Sequence, residues 1–331
     1  MRKLIAFALI AATLYGGYWF VGRAQVETRL TDALQQADDG PYDVQYDSLE
    51  TRGFPSRFDT TITGFTFADP ATGTTWSAPF FQLFALAYRP NEVIAVFPPE
   101  QTIGLGDEVY TLFTNDMRAS GKVRPSTALE FQNATITLDN PRVRTASGAE
   151  LAMASALAAM RLTPETTQTY DAFVEARSIV LPEDIRRFLD PQNNLPPLIQ
   201  NLRFDSDVTL SAPLELNSAD STPPQITGLS ITEFALTWGE IAMTAIGDIA
   251  PDATGAMNGS VTVTTRNWED IITLAVANGM IDDNRRFLVT EIVRNLDETP
   301  HIDDTLTLSL SVTDGQLALG GFPIGPLDIL R

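Results

Sequence analysis

The first part of the chain is apolar without interruption. After two basic residues, Arg2 and Lys3, an uncharged run extends over residues 4–22, which is long enough to cross the hydrocarbon core of a bilayer as one helix. Basic residues in front of such a run stay on the cytoplasmic side, so the rest of the chain is predicted to be exported. We therefore expect residues 1–24 to be a signal anchor or a signal peptide, with residues 4–22 in the inner membrane.

The sequence leaves two fates open for this segment. Gly22 and Ala24 are small residues of the kind a signal peptidase needs, but Arg23 and the length of the run fit such a site poorly. The outer end of the run carries aromatic residues typical of a membrane interface, namely Tyr15, Tyr18, Trp19 and Phe20. We favour a retained anchor with the main body in the periplasm; the alternative is a cleaved signal and a soluble periplasmic protein.

Behind the run the hydrophobic spacing stays helical for a few turns. Val26, Leu30, Ala33 and Leu34 recur at helical spacing with charges between them, which predicts an amphipathic continuation of the anchor. The turn residues 38–41 end it. From there the period changes to two, which is typical of strands.

Aromatic and β-branched residues then mark several strands of the first half. The predicted strands are Thr61–Phe67, Trp76–Tyr88, Glu92–Phe97 and Leu129–Leu138. The run Phe80–Leu86 is apolar on both parities, which predicts a central strand covered on both faces. Ala149–Leu162 is compatible with an Ala-rich helix or with a strand.

The second half shows cleaner alternation. A short helix is predicted to begin after Pro182 and to end at Asp190. Over residues 202–216 the large apolar residues share one parity, which predicts a strand with one dry face. Residues 305–319 alternate in the same way around Asp314 and Gly315, which predicts a C-terminal hairpin.

Helical spacing returns between Asn267 and Glu298, with Asn267 as the predicted N-cap and Gly279 dividing two helices. The predicted fold class is α+β, mainly β: extended antiparallel sheet with a few covering helices, preceded by the N-terminal transmembrane or signal helix. We divide the body into a β-rich half over residues 25–200 and a β-rich half with the helical pair over residues 201–331; one continuous domain is the alternative.

Composition limits the classes of partner and of chemical site that the protein can have. The 331 residues include 42 acidic and 22 basic side chains, a formal charge of -20, so nucleic-acid phosphates would be repelled and nucleic-acid binding is excluded. Cysteine is absent, which excludes disulfides, thiolate nucleophiles and zinc–thiolate sites.

Candidate chemistry is sparse. The single histidine, His301, cannot form a two-histidine metal site and is predicted to lie in a surface loop. Walker A and G-x-S-x-G sequences are absent from the chain. Paired acidic residues are expected in solvated loops of so acidic a chain. We predict no catalytic residue, no metal site and no cofactor, and hence a protein that is not an enzyme.

Aromatic residues are concentrated in the first half. Ordinary core packing is one interpretation. The other is an apolar trough for lipid or another hydrophobic ligand, since such sites are concave and apolar. Its candidate residues are Trp76, Phe80, Phe81, Phe84, Tyr88 and Phe97.

A family resemblance follows from turn and packing motifs. The segments are Gly53–Asp59, Trp76–Pro79, Tyr88–Asn91 and a C-terminal group of Asp314–Gly315, Leu319–Gly320 and Gly325–Leu327. Behind an N-terminal anchor, they resemble the domain of unknown function 2125 family of alphaproteobacterial envelope proteins. Within them, Gly53–Pro55 predicts a tight turn with a buried aromatic residue. That family has no agreed activity, so the resemblance implies no functional residue.

The succession of strands and turns is also similar in style to AsmA-like proteins, which are linked to lipid movement and envelope assembly; this is an analogy at the level of fold. We expect a non-enzymatic periplasmic protein anchored in the inner membrane, with lipid or another hydrophobic ligand in a β-sheet trough. A structural or protein-interaction scaffold of the cell envelope is the alternative.

Overall fold

The structure, a computed structural model, describes residues 1–216, 224–252, 255–298 and 304–319, together with the backbone of a strand at Phe322–Pro326. Contacts within the chain divide it into two units. Unit 1 comprises Met1–Pro125 and Ala134–Gly148, and unit 2 comprises Ser126–Asn133 and Ala149–Arg331.

Unit 1 begins with one long helix, α1 (Arg2–Asp38), so the predicted amphipathic continuation of the anchor is confirmed. Within the described part of the chain, α1 is the one helix long and apolar enough to cross a membrane. Its second half covers a sheet edge, because Glu27 Oε1 accepts the backbone N–H of Thr51 at 2.8 Å. At its C-terminus Asp38 Oδ1 accepts the N–H of Val44 at 2.9 Å, which fixes where the chain turns back.

Antiparallel strands make up the rest of unit 1. They are β1 (Asp43–Gln45), β2 (Ser48–Arg52), β3 (Arg57–Asp69), β4 (Thr74–Leu86), β5 (Arg89–Val96), β6 (Glu100–Leu105), β7 (Glu108–Phe113), β8 (Asp116–Val123), β9 (Phe131–Asp139) and β10 (Arg142–Thr145); the first residues of β9 belong to unit 2. The strand β3 pairs with β1, β2 and β4. The second edge of β4 is shared between β6 at its start and β5 at its end.

A glycine lets β3 keep its large side chains on one face. Phe58, Thr60 and Ile62 are buried at alternate positions, but the next buried residue is Phe65, three positions later. Between them Gly64 has φ +59°, a conformation that costs a residue with a Cβ atom energy. The ring of Phe65 then meets that of Phe81 at 5.0 Å, so both halves of β3 contribute to one core with Val44 and Ile62.

Unit 2 is an antiparallel meander in which successive long strands are neighbours. Its strands are β11 (Glu150–Ala152), β12 (Ser155–Leu162), β13 (Thr169–Val180), β14 (Leu198–Leu210), β15 (Ile226–Trp238), β16 (Ile241–Pro251), β17 (Met257–Arg266), β18 (Thr305–Thr313), β19 (Gln316–Leu319) and β20 (Phe322–Pro326). The predicted C-terminal hairpin is confirmed as β18 and β19, and Ala149–Leu162, left open by its sequence, forms strands.

The helices of unit 2 are α2 (Glu183–Leu189), α3 (Trp268–Ala277) and α4 (Arg286–Asn295), with a 3-10 turn at Asp283–Arg285. The predicted division of the helical pair at Gly279 is confirmed; its φ is +73°. Asn267 does precede α3, but its side chain donates to the carbonyl of Glu240 at 2.7 Å and makes no cap hydrogen bond. The predicted N-cap position of Asn267 is therefore confirmed, but its side chain does not make the hydrogen bond of a cap.

Two cores support these helices. Ala176, Ile179, Ile199 and Trp238 form one, against which Leu189 of α2 packs. The other joins Trp268 and Ile272 of α3 to Leu306, with Val289 and Val293 of α4 packed against it.

Candidate functional site

Three of the six candidate ligand residues meet in the core of unit 1. The ring centroid of Trp76 lies 5.5 Å from that of Phe81 and 6.0 Å from that of Phe97. Phe65 lies 5.0 Å from both Trp76 and Phe81. Tilted and edge-on contacts at these distances are those of packed aromatic side chains.

The buried amide of Gln101 provides the hydrogen-bond partner for the indole N–H of Trp76. Gln101 is 3% exposed, and its Oε1 accepts the indole N–H of Trp76 at 3.0 Å. Its Nε2 lies 3.5 Å from the carbonyl oxygen of Pro98 and 3.3 Å from the sulfur of Met117. Since an unpaired buried N–H costs about 1–3 kcal/mol, Gln101 holds Trp76 in this orientation.

Phe80 and Phe84 lie on the other face of β4, because side chains alternate along a strand. Their cross-strand partners are Thr63 and Asp59, which are polar. The predicted central position of Phe80–Leu86 is confirmed, since β4 has neighbours on both sides. The predicted cover on both faces is wrong, because all of these side chains are only half-buried.

An open polar concavity of about 390 Å³ lies on this second face, lined by Glu50, Arg52, Asp59, Thr61, Gln82 and Phe84. The guanidinium of Arg52 bonds to Glu50 at 2.8 Å and lowers the pKa of that carboxyl. Asp59 Oδ2 pairs with Arg57 at 2.8 Å. Phe84 is thus the one apolar side chain in a charged lining, which does not suit an acyl chain.

Tyr88, the last of the six, lies at the junction of β4 and β5 and is 64% exposed. The residue before it, Ala87, is fully buried, and its carbonyl accepts the hydroxyl of Tyr18 at 2.7 Å. Tyr88 therefore lies beside α1 and apart from the core around Trp76. Whether a ligand contacts any of the six stays a prediction.

The tip of the β2–β3 hairpin packs on α1. Trp19 is 3% exposed and its indole nitrogen donates to the carbonyl of Arg57 at 2.8 Å. Its ring lies 5.4 Å from Phe54 and 6.1 Å from Phe58. The prediction that the aromatic residue of the Gly53–Pro55 turn is buried is wrong. Phe54 is 57% exposed, and the buried aromatic residue is Phe58, which is 5% exposed. The sequence analysis singled out both the aromatic end of the uncharged run and the Gly53–Asp59 segment, but no pattern in the sequence predicts that they contact each other.

Apolar side chains cover one face of the unit 2 sheet from strand to strand. Register aligns one row from β13 to β18, namely Val174, Phe204, Phe234, Ala245, Val263 and Leu308. The rows on either side are Ala176, Leu202, Leu236, Met243, Thr265 and Leu306, and Ala172, Ser206, Ile231, Gly247, Val261 and Leu310. We call this surface the apolar face.

The apolar face is only partly covered by protein. Val174, in its middle row, is 44% exposed, and Phe204, Phe234 and Val263 are half-buried. The rows extend over strands about 4.8 Å apart, so the row from Val174 to Leu308 is about 24 Å long. The single-parity run 202–216 was the sequence signal for this face, but sequence reasoning placed the candidate site in the first half of the chain.

The opposite face of the unit 2 sheet is polar. A typical row there is Glu175, Arg203, Ala235, Thr244, Thr264 and Thr307. On it Asp171 and Asp207 are cross-strand partners. The hydrogen bond from the Thr163 hydroxyl, at 2.6 Å, lowers the pKa of Asp171, and the hydrogen bond and charge of Asp171 raise the pKa of Asp207.

Among the described residues, no group of three or more His, Cys, Asp or Glu side chains could hold a metal ion. His301, predicted to lie in a surface loop, falls outside the described residues. The geometry thus offers an apolar surface in unit 2 and an aromatic contact between α1 and the β2–β3 hairpin in unit 1 as its two candidate sites.

Comparisons with known proteins give one match. The model of a family described as "Uncharacterized protein conserved in bacteria (DUF2125)" matches residues 19–328. Neither a curated protein nor a solved structure matches the chain significantly. The match begins at Trp19, the helix residue on which the β2–β3 turn packs.

Proposed function

Because this chain belongs to the DUF2125 family of bacterial proteins, whose description names no activity, we propose its function from the two surfaces described above. The protein is held in the inner membrane by α1 and binds lipid acyl chains along the apolar face of unit 2, in the periplasm. It acts as a binding protein and not as an enzyme.

The single observation that carries this proposal is the segregation of apolar and polar rows on the two faces of one sheet. A sheet face that met only water would not keep Leu, Val and Phe in adjacent rows, since each CH₂ group removed from water contributes about 0.8 kcal/mol. The exposed fraction of Val174, 44%, leaves such groups accessible to a ligand.

The dimensions and the anchor favour an acyl chain as that ligand. A row of about 24 Å exceeds the roughly 15 Å that one acyl chain spans, which is half of a bilayer core about 30 Å thick. The apolar face also lacks ionised side chains in its three rows, so it offers no partner to a charged ligand. A chain tethered to a bilayer by α1 meets lipid as its most abundant apolar ligand.

The test uses photocrosslinking in membranes. A photoreactive phenylalanine analogue is placed at Val174 in the full-length protein, with Ile246 as the matched control. Both are exposed apolar residues of the same sheet, 44% and 56%, but Ile246 lies on the polar face because its neighbours Ala245 and Gly247 lie in the apolar rows. We expect phospholipid adducts at position 174 and at least fivefold fewer at 246. Equal yields at both positions, or none at either, would refute lipid binding by this face.

A protein-interaction scaffold is the second candidate, and exposed apolar side chains on the unit 2 helices favour it. They are Ile185 (45%), Phe188 (61%), Phe287 (78%), Leu288 (58%) and Ile292 (43%). Apolar groups exposed to this degree on short helices are typical of interaction surfaces. The same analogue at Phe287 distinguishes the two functions: a scaffold gives protein adducts there and no lipid adducts at position 174.

A further inference from the structure

We propose that unit 1 has a second point of membrane contact besides α1: the tip of the β2–β3 hairpin, Gly53–Ser56, together with Tyr88, inserts at the border between headgroups and hydrocarbon of the bilayer that α1 crosses. This inference rests on the proposed anchoring of α1. It is independent of lipid binding by the apolar face of unit 2.

The height at which the hairpin meets α1 carries the proposal. A Cβ atom built on Gly16 would lie 3.9 Å from the ring of Phe54, and the ring of Phe20 stacks on that of Phe54 at 5.8 Å. Gly16 and Phe20 both belong to the uncharged run 4–22. Phe58, by contrast, packs beside Gly22 at the end of that run.

The rise per residue of α1 gives the depth in the membrane at which these contacts lie. Gly16 lies six residues before Gly22, which corresponds to about 9 Å along the axis at 1.5 Å per residue. If the run 4–22 crosses the hydrocarbon core, Phe54, which meets the helix at positions 16 and 20, lies about 3–9 Å closer to the membrane centre than the end of the run. A side chain at that depth contacts lipid and not bulk water.

The hairpin cannot easily withdraw from this position. The hydrogen bond from Trp19 to the Arg57 carbonyl, 2.8 Å, and that from Tyr18 to the Ala87 carbonyl, 2.7 Å, fix two separate turns of unit 1 to α1. Trp19 is buried between them at 3% exposure. Phe54 and Tyr88 are therefore held beside the helix at fixed heights.

The exposed atoms on this side have the chemistry of an interfacial belt. The exposed fractions are 51% for Tyr18, 59% for Phe20, 57% for Phe54 and 64% for Tyr88. Amphipathic and aromatic rings of this kind prefer the headgroup level of a bilayer. Burial of Phe54 in lipid would remove an exposed aromatic ring from water, which is favourable.

The charges around the hairpin indicate which headgroups fit. Arginines near the hairpin are paired with carboxylates: Arg57 with Asp59 at 2.8 Å and Arg23 with Glu27 at 3.1 Å. Arg89, next to Tyr88, lies 4.0 Å from Glu92. Arg52 is likewise paired with Glu50 at 2.8 Å. Such a rim has little net charge, so we expect it to suit zwitterionic headgroups, with contact that depends little on salt.

The absence of cysteine makes a direct depth measurement possible. Single-cysteine variants of the full-length protein carry a spin label in phosphatidylcholine proteoliposomes, and accessibility to oxygen and to a water-soluble nickel chelate is compared. The test positions are Phe54→Cys and Tyr88→Cys. Ala71→Cys, in the turn at the far end of β3, is the aqueous control, and Leu9→Cys, 63% exposed on α1, is the lipid control.

We expect labels at positions 54 and 88 to be protected from nickel relative to position 71 by at least threefold. If position 9 is in lipid while 54 and 88 are as accessible to nickel as 71, the second contact is overturned and the anchor stands. If position 9 is also aqueous, both the anchor and this inference fail. Tyr88→Cys keeps the test decisive if Phe54→Cys does not fold.

Discussion

The indole N–H of Trp19, on α1, donates a hydrogen bond of 2.8 Å to the backbone carbonyl of Arg57, the first residue of β3. The two residues are 38 positions apart, and the ring of Trp19 packs against those of Phe54 and Phe58. The bond joins the predicted membrane segment to the first long hairpin of the body, so the two elements are expected to behave as one rigid part.

Replacing Trp19 tests this junction. Trp19→Phe keeps most of the packing but removes the N–H, and should lower the free energy of unfolding by about 1 kcal/mol. Trp19→Ala also opens a cavity and should cost about 3–5 kcal/mol. Urea denaturation in detergent, followed by far-UV circular dichroism, measures both. Leu14→Ala, at a site 69% exposed on α1, is the control and should change stability little.

Gly64 is predicted to tolerate no side chain. Its φ of +59° disfavours a Cβ atom, and that atom would collide with the carboxylate of Asp47. Gly64→Ala should therefore destabilise the protein by about 2 kcal/mol.

Gly121→Ala is the matched control, because an added Cβ atom meets nothing within 4 Å there. Urea midpoints of the two variants give the comparison. Equal midpoints would show that β3 does not need the glycine to keep Phe65 on the buried face.

The Asp171–Asp207 pair predicts opposite effects of two conservative substitutions. The pKa of Asp207 is raised mainly by its hydrogen bond and repulsion with Asp171, so its ionised form is unfavourable in the folded state. Asp207→Asn should stabilise the protein at pH 7 by about 0.5 kcal/mol, the magnitude of like-charge repulsion across strands. The gain should shrink as pH falls through the raised pKa, because the wild type then binds the proton itself.

Asp171→Asn should do the reverse. The pKa of Asp171 is lowered, first by the Thr163 hydroxyl, so its charged form stabilises the folded state above the ordinary carboxyl pKa of 3.8. That contribution is lost as pH falls through the lowered pKa. Thermal unfolding measured from pH 7 down to below pH 3.8 follows both variants; a stabilising Asp171→Asn at pH 7 would contradict the assignment.

Gln101 is expected to matter for structure and not for ligand binding. Gln101→Ala leaves the indole N–H of Trp76 buried without its partner and should cost about 2 kcal/mol. The double variant Gln101→Leu with Trp76→Phe removes both polar groups and should recover at least half of that loss. Lipid crosslinking at Val174, in the other unit, should be unchanged in both variants. A lower yield of lipid adducts in either variant would show that ligand binding depends on Gln101.

Much of the fold follows from the sequence because periodicity reports local geometry. The helix α1, the long strands and the terminal hairpin each repeat one spacing over many residues, so the physical signal accumulates. Reversals of face leave no such signal. At Gly64 and at Ser178, where φ is +52°, a single residue moves every later side chain of its strand to the other face of the sheet. The hydrophobic pattern does not predict this change. The pairing of Ile179 with Ile199 on the core side of Ala176 follows from such a reversal.

The candidate site was harder to predict for a related reason. The six aromatic residues Trp76, Phe80, Phe81, Phe84, Tyr88 and Phe97 are close in sequence, but β4 alternates and its edge is divided between β5 and β6, which separates them onto different surfaces. The apolar face instead collects three residues from each of six strands. Its recognition depends on register, which only the assembled sheet provides.

The meander of unit 2 also bears on how the protein reaches its folded state. From β13 to β20 each strand pairs with the strand just before it in the chain, so each loop closure joins consecutive strands, at an entropic cost that grows only slowly with loop length. Sheets built from such local contacts form faster than those that wait for distant partners. A chain that emerges N-terminus first from the export machinery would supply each new strand to an edge already in place, and the sheet would grow by addition, one hairpin at a time.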